Sequence, residues 1–171
     1  MFGSLNIDTL LIYLGQYKLY LLFLIVFLEY LNLPGLPAGI IMPAAGILIA
    51  RGKVEFVPTI LVSVLAGICG SLVLYFIGRY LGKPILDKIY DKYKKTRGTI
   101  DRVSDYLERY GNKSAFVTRL IPIARTLISI VAGTSRLNIG AFLIYSSFGI
   151  LIWNFVFIYL GYAFGNLFLN R

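Results

Sequence analysis

The stretch FVTRLIPIARTLISIVAGTSRL, residues 116–137, places two arginines inside an otherwise apolar run. Arg119 and Arg125 stand on either side of Pro122. On a regular helix, residues six positions apart point about 240° away from each other. A proline removes an amide donor and disrupts a helix, so a break at Pro122 would let both guanidinium groups face one point. The stretch therefore predicts a broken helix at this place in the chain.

The composition of the whole chain is typical of a membrane protein. Hydrophobic residues make up 58% of the 171 residues, charged residues make up 15%, and the mean hydropathy is +0.77. Soluble domains usually contain about 45–50% apolar and about 25% charged residues. Histidine is absent and Cys69 is the only cysteine, which rules out an intrachain disulfide and removes the commonest acid–base group and metal ligand. We therefore expect no catalytic residue, no metal and no cofactor, and an integral-membrane enzyme is the least supported function class.

Three apolar runs are long enough to cross a bilayer, which takes about 20 residues. They are residues 10–33, 56–81 and 139–169. Two further apolar stretches, residues 34–50 and 114–133, are too short or too broken by proline for ordinary spans. Irregular backbone at membrane depth is tolerated only where protein or a wet cavity satisfies it, so two re-entrant helical hairpins are favoured over short kinked spans or surface helices. The residues expected to shape these hairpins are Pro37, Pro43, Gly46, Pro122 and Gly133.

A charged segment, residues 83–113, separates the two broken stretches. It holds nine Lys or Arg and five Asp or Glu, and its apolar residues recur at helical spacing on one face. This pattern predicts two short amphipathic helices at the membrane surface, and the positive-inside rule places them in the cytoplasm. With both hairpins re-entrant, the N-terminus, which shows no signal-peptide cleavage site, is expected in the cytoplasm and the C-terminus outside. A basic surface for nucleic acid is the competing interpretation.

The order of elements occurs twice along the chain. Ala-Gly at residues 45–46 corresponds to Ala-Gly at 132–133, and each is followed by a span that ends in G-x-x-x-G. Because the amphipathic segment does not cross, the two units are expected in opposite orientation, with their tips near the midplane, as in many transporters. We therefore expect an all-α integral membrane domain with three transmembrane helices and two opposed re-entrant hairpins. Its parts are a first hairpin–span unit at 34–82, the cytoplasmic amphipathic linker at 83–113, and a second unit at 114–169, within a single domain of residues 1–171.

Few charges lie deep in the apolar sequence. Arg79 is near the end of its span, where it can extend its charge to the surface. Glu29 lies just before the first hairpin and is either a surface carboxylate or, as we favour, part of a cavity. Two fork-shaped cations converging in a dry cleft suit a phosphate or carboxylate; the alternative is that Arg119 and Arg125 pair with Glu29 or cap backbone carbonyls. The hydroxyl groups that could add donors belong to Ser129, Thr134 and Ser135.

These residues resemble a known family. The sequence FVTRLIPIARTLISIVAG, residues 116–133, with Phe142 after it, resembles the F-x-x-R-x-x-P-x-x-R…A-G pattern of the DedA family, also called the SNARE-associated or VTT-domain family. The sequence EYLNLPGLPAGIIMPAAG, residues 29–46, resembles the first hairpin of the family, where a glutamate precedes a proline-rich stretch and Ala-Gly. The resemblance covers residues 20–165.

The resemblance implies a multi-pass protein of the bacterial inner membrane that moves lipids, such as undecaprenyl phosphate or a phospholipid. It also implies that Glu29, Arg119 and Arg125 occupy essential positions. One position departs from the family pattern: many members have a second acidic residue where this chain has Gly39. A proton path built on two carboxylates is therefore less well supported than the anion site.

Three functions follow from these observations. The favoured one is a lipid flippase or transporter, in which Arg119, Arg125 and Glu29 bind the anionic head group, with membrane lipids as partners and no nucleic acid. The second is a proton-coupled transporter of a small solute, which Glu29 favours and Gly39 disfavours. The third is a non-transporting assembly factor. Protons as a coupling partner and a homo-oligomer both stay open, and an alanine at either arginine is expected to abolish transport while leaving stability mostly intact.

Overall fold

The computed structural model describes residues 7–31, 39–92, 97–121 and 124–169, without the side chains of residues 7–16, 85, 89, 126 and 169. Within these ranges the chain is helical and contains no strand, in agreement with the expected all-α class. A short 3-10 turn, Gly111–Lys113, precedes the sixth helix. The α-helices are α1 (Ile7–Tyr30), α2 (Ile41–Ala50), α3 (Phe56–Leu81), α4 (Lys83–Lys92), α5 (Arg97–Tyr110), α6 (Ser114–Arg119), α7 (Ala124–Thr134) and α8 (Ile139–Leu169).

Two long antiparallel helices, α3 and α8, form the centre of the bundle. Among the described residues they are the two helices that are both long and apolar enough to cross a membrane. Near the start of α3, Phe56 packs against Phe155 with ring centroids 6.0 Å apart. Near its end, Tyr75 stacks on Phe142 at 4.9 Å. The start of α3 therefore lies beside the later part of α8, and the end of α3 lies beside the start of α8.

Helix α1 runs parallel to α3 and ends halfway along it. At one end, Lys18 Nζ donates a hydrogen bond to the carbonyl oxygen of Lys53, just before α3 begins. At the other end, Tyr30 packs against Gly67 and Gly70, near the middle of α3. Helix α2 then runs back, because its last residue, Ala50, contacts Gly165 near the end of α8. Helices α1 and α2 thus form a helical pair, the α1–α2 unit, that enters and leaves at the same end of the bundle.

This packing corrects one expectation and leaves another untested. Residues 10–33 were expected to form a third full crossing; the helix over this stretch ends beside Gly67 and Gly70 of α3, and a crossing by it stays a prediction. The N-terminus was expected on the same face as residues 83–113, yet α1 begins at the end of the bundle where α3 begins, and residues 83–113 follow the opposite end. The physical reason is that α1 packs parallel to α3, so both helices begin at the same end of the bundle. Length and apolarity allow a crossing, but they do not show where a helix stops.

Helices α6 and α7 form a second helical pair, the α6–α7 unit, from the other end of the bundle. Arg119, the last residue of α6, packs against Gly149 in the middle part of α8. Helix α7 leads away from there and ends beside the end of α3, where Thr134 Oγ1 lies 3.5 Å from the carbonyl oxygen of Gly78. The inner ends of the two units therefore meet between α3 and α8. Re-entry of each unit into a bilayer stays a prediction.

The return helix of each unit packs against the long helix of the other half. A Cβ atom on Gly46 of α2 would lie less than 3.0 Å from the backbone of α8, and one on Gly133 of α7 equally close to the backbone of α3. Gly161 and Gly78 are the reciprocal close contacts, against Pro43 and Ile130. Small residues at such crossings let helix backbones approach closely. In both halves the return helix packs on the long helix of the other half, which is the arrangement that an inverted repeat produces.

The linker helices pack against the second half. The apolar face of α5, formed by Ile100, Val103 and Leu107, is buried, and Val103 and Leu107 belong to a cluster with Tyr75 and Val131. This confirms the amphipathic character that the spacing predicted for α5. The charged residues of α5 from Asp101 onward are exposed, so the helix turns its apolar face to the bundle.

The expected hairpin-shaping residues have different positions. Pro43 lies in the first turn of α2, where a missing amide donor costs little because the first four N–H groups of a helix have no internal partner. Gly46 and Gly133 are the close contacts between helices described above. Pro37 and Pro122 lie outside the described residues. Gly39, at the position of the second acid, has φ of +120°, a conformation that residues with a side chain rarely adopt.

Candidate functional site

A buried ion pair joins the two units where they meet. Glu29 lies at the inner end of α1 and Arg125 in the first turn of α7, 96 positions further along the chain. Arg125 Nη2 donates to Glu29 Oε1 at 2.5 Å, and both side chains are almost completely inaccessible to solvent. A carboxylate and a guanidinium survive such burial only as a hydrogen-bonded pair. The pair therefore ties one unit to the other.

Arg119 lies beside this pair and has no carboxylate partner among the described residues. Its Nη2 donates to Ser129 Oγ at 3.1 Å, and its Nη1 lies 3.4 Å from the carbonyl oxygen of Arg125. The side chain is fully buried because Gly149 leaves room for it on α8. The two arginines, which a regular helix would point apart, thus lie next to each other on the two arms of the α6–α7 unit.

Aromatic rings surround both guanidinium groups. The Arg125 guanidinium carbon lies 5.2 Å from the ring centroid of Tyr30 and 5.1 Å from that of Trp153. The Arg119 guanidinium carbon lies 5.6 Å from the centroid of Phe142. Cations at this distance from a ring face are attracted by its quadrupole. The rings therefore partly compensate the burial of two positive charges and hold them in place.

Several buried polar atoms at this site have no hydrogen-bond partner in the described part of the chain. On the charged residues they are Glu29 Oε2, Arg119 Nε and Arg125 Nη1. Two atoms on α8, Trp153 Nε1 and Ser146 Oγ, are also buried without a hydrogen-bond partner there. Buried polar groups are normally paired, so this set has unused capacity for hydrogen bonds. Most of it consists of donors, which suits an anion.

A chain of hydrogen-bonded side chains leads from Tyr30, beside the ion pair, toward the end of the bundle where α3 begins. Tyr30 Oη donates to Asn154 Oδ1 at 3.0 Å, and Asn154 Nδ2 donates to Ser63 Oγ at 3.2 Å. All three residues are buried and come from α1, α8 and α3. Ser63 Oγ in turn donates to the carbonyl oxygen of Ile60. The chain fixes the inner end of α1 against both long helices.

Removing one link of this chain gives a measurable effect. We expect Tyr30→Phe to lower the free energy of unfolding by about 1–3 kcal/mol, because Asn154 Oδ1 then stays buried without its donor. Denaturant unfolding in detergent measures this difference. Tyr80→Phe is the matched control, because Tyr80 is highly exposed and its variant should unfold like the parent. Equal stability of the two variants would contradict a structural role for the Tyr30 hydroxyl.

The structure brings together the three site residues expected from the sequence, Glu29, Arg119 and Arg125. Ser129, one of the three expected hydroxyl residues, lies beside them. Both arrangements that the sequence left as the alternative to ligand binding occur, since Arg125 pairs with Glu29 and Arg119 reaches a carbonyl oxygen. Two other expected hydroxyl donors do not take part: Thr134 donates to the carbonyl oxygen of Ile130, and Ser135 is exposed. Sequence reasoning missed four residues on two helices. They are Tyr30, Ser146, Trp153 and Asn154.

One of these missed residues carried a signal in the sequence. Asn154 is a polar residue in the middle of the long apolar run over residues 139–169, and such residues are rare at membrane depth and usually hydrogen-bonded to a neighbouring helix. Trp153 carried no such signal, because its contact with Arg125 joins residues that are distant in the sequence.

Among the described residues, no group of three or more His, Cys, Asp or Glu could hold a metal ion.

Comparison with known proteins assigns the chain to a family. The model of the VTT domain matches residues 34–163, which is more than half of the chain. The chain belongs to the VTT-domain family. The DedA family of the sequence resemblance is the same family, and the match includes Arg119 and Arg125, whereas Glu29 lies just before it.

Several bacterial relatives of this VTT-domain chain are similar over most of its length. It is 34% identical to the uncharacterized membrane protein YkoX of Bacillus subtilis over 79% of the chain and 61% of that protein. It is 34% identical to undecaprenyl phosphate transporter A of Bacillus subtilis over 77% of the chain and 66% of that protein. It is 30% identical to protein DedA of Escherichia coli over 90% of the chain and 71% of that protein.

The VTT-domain chain thus spans a little less than two thirds of the length of YkoX and of the Bacillus transporter. No solved structure matches it. Family membership and the two long apolar helices identify a membrane protein, and the relatives named above are bacterial.

Proposed function

We propose that this protein moves a lipid phosphate across the membrane, with undecaprenyl phosphate as the first substrate to test. The observation that carries the proposal is a pair of adjacent buried guanidinium groups with unused N–H donors, Arg119 Nε and Arg125 Nη1. Guanidinium groups bind phosphate through parallel hydrogen bonds and keep their charge when buried. The similarity to undecaprenyl phosphate transporter A supports this substrate class.

In the proposed cycle the site is closed when no lipid is bound. The Glu29 carboxylate is then paired with the Arg125 guanidinium, and both side chains are inaccessible to solvent. A phosphate head group would replace the Glu29 carboxylate at Arg125 and take up the free N–H of Arg119, while the lipid chain stays in the bilayer. The displaced Glu29 carboxylate would become accessible to water as the units separate, because it is not stable buried and unpaired. Breaking the Glu29–Arg125 pair separates the two units at their inner ends. Exchange of one anion for another would thus couple head-group binding to opening.

A multi-pass position in the bacterial inner membrane, with residues 83–113 in the cytoplasm, belongs to the same proposal. It rests on the excess of basic residues in that segment and on the positive-inside rule. The α1–α2 unit and the start of α3 then face the outside, and the α6–α7 unit faces the cytoplasm. The two units would approach the central site from opposite sides of the membrane.

The test uses Arg119, because its loss leaves the Glu29–Arg125 pair in place. In vesicles containing the purified protein and labelled undecaprenyl phosphate, we expect Arg119→Ala to slow transport roughly tenfold or more, since a charge-assisted hydrogen bond contributes about 1.5–3 kcal/mol. Arg119→Lys should also impair transport, because lysine lacks the planar fork. Transport at the parental rate by Arg119→Ala would refute the proposal.

A control variant and two further measurements separate the proposed function from its alternatives. Arg79→Ala removes an exposed arginine that donates to Tyr75 Oη outside the site, and it should transport normally. Uptake with and without a pH gradient tests the proton-coupled alternative, which predicts a strong dependence on the gradient. An assembly factor would keep its cellular activity without Arg119.

A further inference from the structure

A cavity lies away from the arginines, between α1, α2 and the start of α3. Its volume is about 350 Å³, within the range of small-molecule sites, which are roughly 300–1,000 Å³. Its walls are almost entirely apolar and include Leu22 of α1 and Ala45 and Leu48 of α2. Such a cavity suits a hydrocarbon chain.

Two cations and one buried hydroxyl are the polar lining residues of this apolar cavity. Lys18 and Lys53 line it at the end of the bundle where α3 begins, and Thr59 lines it from α3. Lys18 Nζ uses one donor on the carbonyl oxygen of Lys53, at 3.1 Å, and an ammonium group has three donors. Lys53 itself is exposed. The cavity thus combines apolar walls with two lysines at one end, which matches a lipid with an anionic head group.

The cavity and the central site lie along the same face of α1. Lys18, Leu22, Ile25 and Glu29 recur at spacings of four, three and four residues, which places them on the same side of a helix. The distance from Lys18 to Glu29 along the helix axis is about 16 Å.

Helix α3 makes a second connection between the two places. Thr59, which lines the cavity, stands one turn from Ser63, the last side chain of the hydrogen-bonded chain that begins at Tyr30. The walls of the cavity therefore lead toward the ion pair on two helices.

We propose that this cavity is a second lipid site, in which part of one prenyl or acyl chain lies between α1 and α2 while its phosphate contacts Lys18 and Lys53. This inference rests on the proposed function and extends it: the lipid occupies one station at the bundle end opposite residues 83–113 and another at Arg119 and Arg125. Lysine is a point charge without the arginine fork. The outer station would therefore hold the phosphate less tightly than the central one, as a site of entry or release requires.

The experiment measures binding of labelled farnesyl phosphate, a short prenyl phosphate, to the purified full chain in nanodiscs. We expect the parent to bind at two sites. The charge reversal Lys18→Glu/Lys53→Glu should weaken one of them at least tenfold. The matched control is Lys83→Glu/Lys88→Glu, which changes the net charge equally at exposed positions of α4 and should keep both sites. Farnesol, which lacks the phosphate, should bind the parent and the charge-reversed variant alike.

A second variant, which fills the cavity, tests the same site in case the charge-reversed variant does not fold. Leu48→Trp adds volume on a half-exposed wall position and should remove the same site for both farnesyl phosphate and farnesol. Two sites of parental affinity in both Lys18→Glu/Lys53→Glu and Leu48→Trp would overturn the inference. Arg119→Ala distinguishes the two proposals: it should lose only the central site, and if it keeps both sites, the proposed function fails while the cavity site stands.

Discussion

Replacing Arg125 with methionine is expected to lower the free energy of unfolding by about 3–5 kcal/mol, and replacing Glu29 with methionine by a similar amount. The two side chains form a 2.5 Å hydrogen bond in the interior, so either replacement leaves the other charge buried without its partner. An uncompensated buried charge loses its hydration and gains nothing in return. The effect is large because both partners are inaccessible to water in the folded chain.

The double variant Glu29→Met/Arg125→Met identifies this cause. With both charges gone, no buried ion is left uncompensated, and we expect most of the lost stability to return. Unfolding of the parent, both single variants and the double variant in detergent gives the coupling energy of the pair. Arg79→Met is the control, because Arg79 is exposed and should contribute little. Additive effects of the two single changes would show that the ion pair does not link the two units.

The buried Glu29–Arg125 pair changes an expectation drawn from the sequence. An alanine at either arginine was expected to leave stability mostly intact; for Arg119, which no carboxylate faces in the described chain, this stays a prediction. For Arg125, loss of transport by the single variant would be mixed with loss of stability. The double methionine variant separates the two effects, because under the proposed function it should be stable and inactive.

The second large effect concerns the helix crossings. We expect Gly133→Ala and Gly46→Ala each to lower the free energy of unfolding by about 1–3 kcal/mol, or more. The added methyl group would lie less than 3.0 Å from the carbonyl oxygen of Tyr75 in the first variant and of Ile158 in the second. These neighbours are backbone atoms, so a whole helix must shift to make room.

Gly98→Ala provides the matched control for both variants. Gly98 lies in α5 and a Cβ atom there would meet nothing within 4 Å, so alanine should be neutral or stabilising, as it usually is in a helix. Thermal unfolding in detergent compares the three variants under one condition. If Gly133→Ala were as stable as Gly98→Ala, α7 and α3 would not be in backbone contact.

The paired glycines also explain the repeat in the sequence. Ala-Gly at 45–46 and at 132–133 was visible as a repeated pattern, and small residues were expected to permit close helix packing. The sequence did not show which helices approach each other, because each glycine contacts the half to which it does not belong. Gly82 and Gly165 differ as well: Gly165 contacts Ala50 on α2, whereas Gly82 ends α3 with φ of +59°.

The candidate site was largely predictable because its charges are conspicuous. Three ionisable residues in apolar sequence, Glu29, Arg119 and Arg125, need a shared interior, and the structure provides it. Trp153 and Tyr30 were not predictable, because an aromatic residue is ordinary in an apolar helix and only the contact with Arg125 gives it a role.

By itself, the sequence determined the class of the protein, the break between two arginines, the amphipathic α5 and the glycine positions where helices approach. Each of these depends on residue type and local spacing. Only the tertiary structure decided that α1 ends beside the middle of α3, that Glu29 pairs with Arg125, and that each return helix packs on the opposite half. The physical reason is that these features depend on contacts between residues far apart in the chain, such as Glu29 and Arg125, which are 96 positions apart.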